Sequence, residues 1–160
     1  MHIVNLNHFR QMVLSSYNGE MENSDKKAME TEFHVRYAET DAMGVVHHST
    51  YLVYFEEGRS QLVRDLGSNY ADVEAAGYRM PVTEISVRYV GSLFYGEKVK
   101  VHTRIEENLS RRITFSYEVT NPDNGEKLVS GFTKHIWTDK DGKVTRMPEQ
   151  WAKLFHDKGA

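Results

Sequence analysis

Apolar and polar residues alternate through Phe33, His34, Val35, Arg36 and Tyr37. This is the two-residue period of a strand with one buried face, so a first strand is predicted over 33–37. From Ser49 to Leu66 the period changes: Tyr51, Leu52, Phe55, Leu62, Val63 and Leu66 recur at spacings of three and four. That spacing predicts a long helix of roughly 27 Å, at about 1.5 Å per residue. Ser49 and Thr50 are expected to cap its start and Gly67 to stop it. Gly58 falls on its apolar face, where glycine disfavours a helix by about 1 kcal/mol, so close approach to a sheet is the expected compensation. The residues between strand and helix, 38–48, read as a loop carrying Asp41 and Gly44.

A shorter helical segment over 68–76 leads through Gly77 into four stretches with strand character, at 80–89, 98–107, 112–121 and 127–138. Gly96, Leu109-Ser110 and the run Asn121-Pro122-Asp123-Asn124-Gly125 separate them with turn chemistry. Short links between successive strands predict an antiparallel meander, because a parallel crossover needs a dozen or more residues. With one long helix available to cover one sheet face, the fold class is α+β. A last helix is expected over 148–155, with Pro148 near its first turn. The first thirty residues stand apart: an amphipathic stretch from Ile3 to Leu14 gives way to polar Ser24-Asp25-Lys26-Lys27. The chain therefore divides into an extension over 1–30, a domain over 31–146 and a terminal helix and tail over 147–160. An ancillary role for the extension, with Met21 and Met29 as internal alternative starts, is favoured over a docking helix.

Composition narrows the function. A chain of 160 residues with 39% hydrophobic and 27% charged residues and only 3 Pro has the make-up of one folded domain. The absence of cysteine removes disulfides, thiolate metal sites and cysteine nucleophiles, and it points to a reducing compartment. No apolar run approaches the roughly 20 residues of a membrane span, and no secretory signal precedes the domain. A cytoplasmic protein without an integral membrane segment is expected. A net charge of -3 argues against nucleic-acid binding by broad neutralisation of phosphates.

The segment Val35-Arg36-Tyr37-Ala38-Glu39-Thr40-Asp41-Ala42-Met43-Gly44-Val45-Val46-His47-His48-Ser49-Thr50-Tyr51 resembles the signature of the 4-hydroxybenzoyl-CoA thioesterase family of hotdog-fold enzymes, and Pro81-Val82-Thr83-Glu84 supports the likeness. The resemblance covers about 31–146. It implies a hotdog fold, an antiparallel sheet wrapped around a long central helix, assembled as a homodimer or homotetramer with active sites at subunit interfaces. It also implies hydrolysis of acyl-CoA or acyl-carrier-protein thioesters with Asp41 as nucleophile or general base. By motif alignment the backbone N–H of His48 is the donor to the thioester oxygen.

Elementary chemistry supports those roles. A thioester carbonyl gains negative charge as it is attacked, and the free N–H groups and dipole at a helix start stabilise that charge. A carboxylate seven residues earlier, on a loop that Gly44 lets turn back, reaches the other side of the same carbonyl. Substrate contacts are expected from Gly44, Val46, His47 and Tyr51. The exposed pair Arg111 and Arg112 is expected to grip the phosphates of coenzyme A, ahead of Arg88 and Lys134.

Plainer readings compete at each position. Asp41 suits a turn cap, Tyr51 a core position, Ser49 and Thr50 helix caps, and the arginines an ordinary charged hairpin. Glu39 reads as a solvated strand end. The adjacent His47 and His48 are expected to point in different directions, without the i, i+4 spacing of a zinc site, so no metal is expected, nor any cofactor beyond the coenzyme A of the substrate. Two other functions stand beside hydrolysis. Hydration or dehydration of an acyl chain requires an Asp and His pair at a shorter interval than Asp41 to His47. A non-catalytic acyl-binding module would retain the pocket without turnover.

Overall fold

The computed structural model describes residues 28–157. The extension reading lies outside them for residues 1–27. In chain order the elements are β1 (Met29–His34), a 3-10 turn (Tyr37–Glu39), α1 (Thr50–Asp65), α2 (Tyr70–Ala75), β2 (Tyr78–Arg79), β3 (Val82–Tyr89), β4 (Lys98–Asn108), β5 (Arg112–Asn121), β6 (Glu126–Ile136), β7 (Thr138–Asp139) and α3 (Glu149–Asp157). Five strands form one antiparallel sheet in the order β1-β4-β5-β6-β3, and β2 pairs with β7 beside it. A long helix lying on an antiparallel sheet is the architecture that the hotdog resemblance implies.

Two sequence expectations need correction. The first strand runs over Met29–His34, earlier than 33–37, because Arg36 turns the chain out of the ladder. Its backbone N–H and its Nε both donate to the Glu39 carboxylate, at 2.8 and 2.7 Å, and close the 3-10 turn. The four later strands also do not pair in simple succession. β4, β5 and β6 form a meander, but β3 lies at the far edge against β6. The link from β3 to β4 makes this possible by crossing the sheet end: Val90 and Gly91 donate to the Leu128 carbonyl, at 2.8 and 3.0 Å, before the chain reaches the far side.

α1 packs across β1, β4 and β5 and buries Tyr51, Tyr54, Phe55, Gly58, Leu62 and Val63. Phe55 lies flat on Tyr117 of β5, with ring centroids 4.3 Å apart and an interplanar angle of 6°. Alternate residues of β4, namely Val99, Val101, Thr103 and Ile105, supply the floor. At the other end Trp137, Trp151 and Tyr78 form an aromatic group, and Phe155 is also buried, so α3 is part of the core.

Gly58 meets the close approach expected of it. A Cβ there would lie 2.5 Å from Thr103 Oγ1 and 2.8 Å from Val101 Cγ1. Both neighbours are β-branched and fixed in a central strand, so neither yields easily. Gly58→Ala gains about 1 kcal/mol of helix propensity but incurs about 1–3 kcal/mol of overpacking. The expected result is a net loss of stability, read as a lower urea midpoint at unchanged m-value.

The two sheet edges differ in chemistry. On β1, Glu30 and Glu32 are exposed and ion-paired with Lys100, at 3.1 and 3.7 Å, and charge of this kind discourages strand addition. β3 instead carries Val82, Ile85 and Tyr89 at the surface, 45%, 47% and 44% exposed. No helix among the described residues is long and apolar enough to cross a membrane.

Candidate active site

The segment before α1 folds as a small hairpin. Thr40 pairs with Val46, the Asp41 N–H donates to the Val45 carbonyl at 2.9 Å, and the Gly44 N–H donates to the Asp41 carbonyl at 2.9 Å. Gly44 has φ +79°, a left-handed conformation that a residue with a Cβ resists, so glycine is what lets the loop turn back. One oxygen of the Asp41 carboxylate, Oδ1, accepts from the Met43 N–H at 2.8 Å. The turn-capping reading of Asp41 is thus realised by one oxygen, and the side chain stays partly exposed.

The start of α1 departs from simple capping. Ser49 stands at the N-cap position in a helical conformation and makes no side-chain cap bond. Its hydroxyl is hydrogen-bonded instead to His47 Nδ1 at 2.8 Å. The Thr50 N–H donates to the His47 carbonyl at 2.9 Å, whereas the His48 N–H has no acceptor among the described residues. That amide is an unspent donor just before the helix start, where the helix dipole adds positive potential. The Thr40–Val46 bridge sets Asp41 inside the hairpin and His48 beyond it, at the approach to α1. The two histidine rings do not diverge as expected: they lie 4.1 Å apart at 37°, because the Ser49 contact turns His47 back along the helix start.

Comparison with known proteins bears on this arrangement. The thioesterase-like superfamily matches residues 35–155. YneP of Bacillus subtilis (strain 168), provisionally named an acyl-CoA thioesterase, is 42% identical over 126 residues, which cover 79% of this chain and 88% of YneP. The chain belongs to the thioesterase-like superfamily. Among solved structures, hypothetical protein TT1821 from Thermus thermophilus is 39% identical, with a TM-score of 0.77, over 81% of this chain and 98% of that one. The DHNA-CoA thioesterase from Staphylococcus aureus is 36% identical, with a TM-score of 0.75, over 81% of this chain and 89% of that one. The fold is therefore the hotdog fold of this superfamily.

In this thioesterase-like chain the other candidate residues separate into two groups. Val46 and Tyr51 are buried beneath the hairpin, at 4% and 2% exposure. The Val46 N–H donates to the Leu93 carbonyl at 2.8 Å, and the Tyr51 hydroxyl, sealed in without a partner, is pushed up to about 12 by burial. Both support the loop from below. Tyr89, at the end of β3, donates its hydroxyl to the His48 carbonyl at 2.9 Å and ties the sheet to the helix start. Arg111 and Arg112 are elsewhere. Val119 lies level with Val129 and Tyr89, and Arg112 is seven residues back along β5, about 24 Å at ~3.4 Å per residue. Within one protomer the structure does not bring the arginines to the Asp41 loop, and Arg112 pairs with Glu107 at 3.1 Å.

Glu39 is a further correction. It is 9% exposed, ion-paired with Arg36, and accepts from the buried Tyr54 hydroxyl at 2.8 Å. Burial pushes its carboxyl up, but the Arg36 amide and guanidinium and the Tyr54 hydroxyl outweigh that and hold it below its ordinary value. It braces the hairpin against α1; the Glu39 carbonyl also accepts the His47 N–H at 2.9 Å.

Sequence reasoning missed Arg59. It lies on the stripe that runs Leu52, Phe55, Leu62 and Leu66, and a charged residue on an apolar stripe was the available signal. Its Nη1 is 3.3 Å from His135 Nε2, its guanidinium sits 5.6 Å from the Tyr70 ring centroid, and its buried Nε has no partner. Among the described residues no group of three or more His, Asp or Glu side chains is arranged to hold a metal ion.

Proposed function

We propose that this member of the thioesterase-like superfamily hydrolyses acyl-CoA thioesters in front of the α1 helix start, with Asp41 as nucleophile or general base and the His48 amide as the donor to the carbonyl oxygen. What supports the reading is one loop that bears a partly exposed carboxylate, that of Asp41, and ends at an amide, that of His48, with no acceptor among the described residues. In the general-base form, Asp41 takes a proton from water as its oxygen adds to the carbonyl carbon. The oxyanion is held by the amide, and the C–S bond then breaks to release the acid and the thiol. In the nucleophilic form the carboxylate itself adds, the C–S bond breaks to expel the thiolate, which takes a proton from solvent, and water then hydrolyses the anhydride to the free acid and the regenerated Asp41 carboxylate. The names of YneP and the Staphylococcus aureus neighbour agree with a coenzyme A carrier.

The test is release of free thiol from acyl-CoAs and from matched acyl-carrier-protein thioesters, compared between wild type and Asp41→Asn. Turnover that depends on Asp41 is expected; no turnover of any thioester overturns the reading in favour of a binding module.

Self-association belongs to the same proposal. β3 is the edge strand with an apolar surface, while β1 is fenced by charge, so a second copy of the chain is the expected partner for β3. Sedimentation is expected to find a dimer or larger, and an active monomer would remove this part.

A further inference from the structure

A groove of about 150 Å³, open on one side, lies between α1 and β3, and its Val82 and Ile85 wall belongs to the β3 surface on which the second copy of the chain is expected to sit. Its walls are apolar at Leu52, Val53, Val82 and Ile85 and polar at Glu56, Arg59 and Thr133. It begins within the first turn of α1, beside the proposed carbonyl position, and reaches Arg59 nine residues along, about 14 Å at ~1.5 Å per residue. A substrate whose carbonyl rests on the helix start would send its acyl group along this groove.

The far end of the groove carries an uncompensated charge. No carboxylate among the described residues forms an ion pair with Arg59. Its neighbours are neutral. His135 Nδ1 donates to the Met80 carbonyl at 3.0 Å, so Nε2 is the acceptor for Arg59 at 3.3 Å and for the Thr133 hydroxyl at 2.8 Å. Tyr117 is hydrogen-bonded to Thr133 at 2.8 Å, and the Tyr70 hydroxyl is buried without a partner. Glu56 also lines the groove, but it is exposed and solvated rather than closed onto Arg59. Among the described residues the guanidinium has a buried Nε without an acceptor and no carboxylate in ion-pair contact, so an anion arriving in the groove gains charge-assisted bonds there.

We infer that the groove accepts acyl groups ending in a carboxylate, with Arg59 as the residue that selects them. The inference rests on the thioesterase reading and assigns the substrate class of the same site. A terminal methyl leaves the guanidinium unpaired, whereas a terminal carboxylate meets it with charge-assisted hydrogen bonds.

The experiment compares kcat/KM for pairs of equal length, octanoyl-CoA with suberoyl-CoA and decanoyl-CoA with sebacoyl-CoA, on wild type, Arg59→Met and Arg59→Lys. At one length wild type is expected to favour the carboxylate-ended member by at least about tenfold. Arg59→Met is expected to bring that ratio to about one, and Arg59→Lys to retain part of it, with circular dichroism showing which variants are folded. Equal or methyl-favouring rates in wild type, or a preference that survives in folded Arg59→Met, overturn the inference while leaving the thioesterase standing. If Arg59→Met does not fold, loss of most of the preference in Arg59→Lys is the supporting result and full retention the opposing one. If wild type hydrolyses none of these four thioesters, calorimetric binding of suberoyl-CoA against octanoyl-CoA decides the groove: tighter suberoyl-CoA binding that Arg59→Met abolishes supports it and equal affinity overturns it, while the thioesterase reading is decided separately by the wider thioester panel.

Discussion

Asp41→Asn is expected to lower the rate of thiol release by about 10²–10⁴-fold, the range that a general base or nucleophile contributes, while leaving the melting temperature unchanged. The separation of the two effects follows from the hydrogen bond that Oδ1 accepts from the Met43 N–H. An amide oxygen accepts the same bond, so the turn survives. What is lost is negative charge and basicity on the oxygen facing the substrate. Single-turnover thiol release together with a thermal melt measures both. An Asn variant that loses activity only because it unfolds would move both readouts, and a variant that keeps its rate would remove Asp41 from the chemistry.

Stability is expected to fall by about 3 kcal/mol as the pH is lowered from about 6.5 to about 4, through His135. Burial first, and then the charge of Arg59, lowers its pKa from the ordinary value of 6.5 to about 4. Between those values the unfolded chain binds one more proton than the folded one, so stability is fully present above 6.5 and is lost on acidification. One proton corresponds to a slope of up to about 1.4 kcal/mol per pH unit. Urea unfolding between pH 6.5 and 5, above most carboxylate titration, is expected to show this slope in wild type and a flatter one in His135→Gln. Equal slopes in the two proteins would mean that His135 is not the group responsible.

Much of the fold was legible in the sequence, because periodicity reports which face of an element is buried. The long helix, the turns and the close approach at Gly58 were all readable from local pattern. The position of β3 was not: a link of moderate length reads the same whether the next strand lies alongside or across the sheet. Bonds such as those from Val90 and Gly91 to Leu128 decide that, and they join residues far apart in sequence. In the site region the loop, Gly44 and the helix start were visible as a motif. The roles of Glu39 and Arg59 were hidden, because a charged residue normally signals solvent and here tertiary neighbours bury Glu39 and partly enclose Arg59. Tyr54 and Arg36 enclose Glu39, while His135 and Tyr70 flank Arg59. The contact between the His47 and His48 rings was equally out of reach, since it depends on a rotamer set by Ser49.

The hairpin that carries Asp41 is stitched to its surroundings by backbone bonds from Val46 to Leu93 and from His47 to Glu39, and Val45 pairs with Phe94 of the crossing link. A segment restrained at so many points has few alternative shapes left to surrender when an acyl group arrives. The entropy of aligning the acid therefore falls on folding, once per molecule, and no loop closure is needed before each bond cleavage.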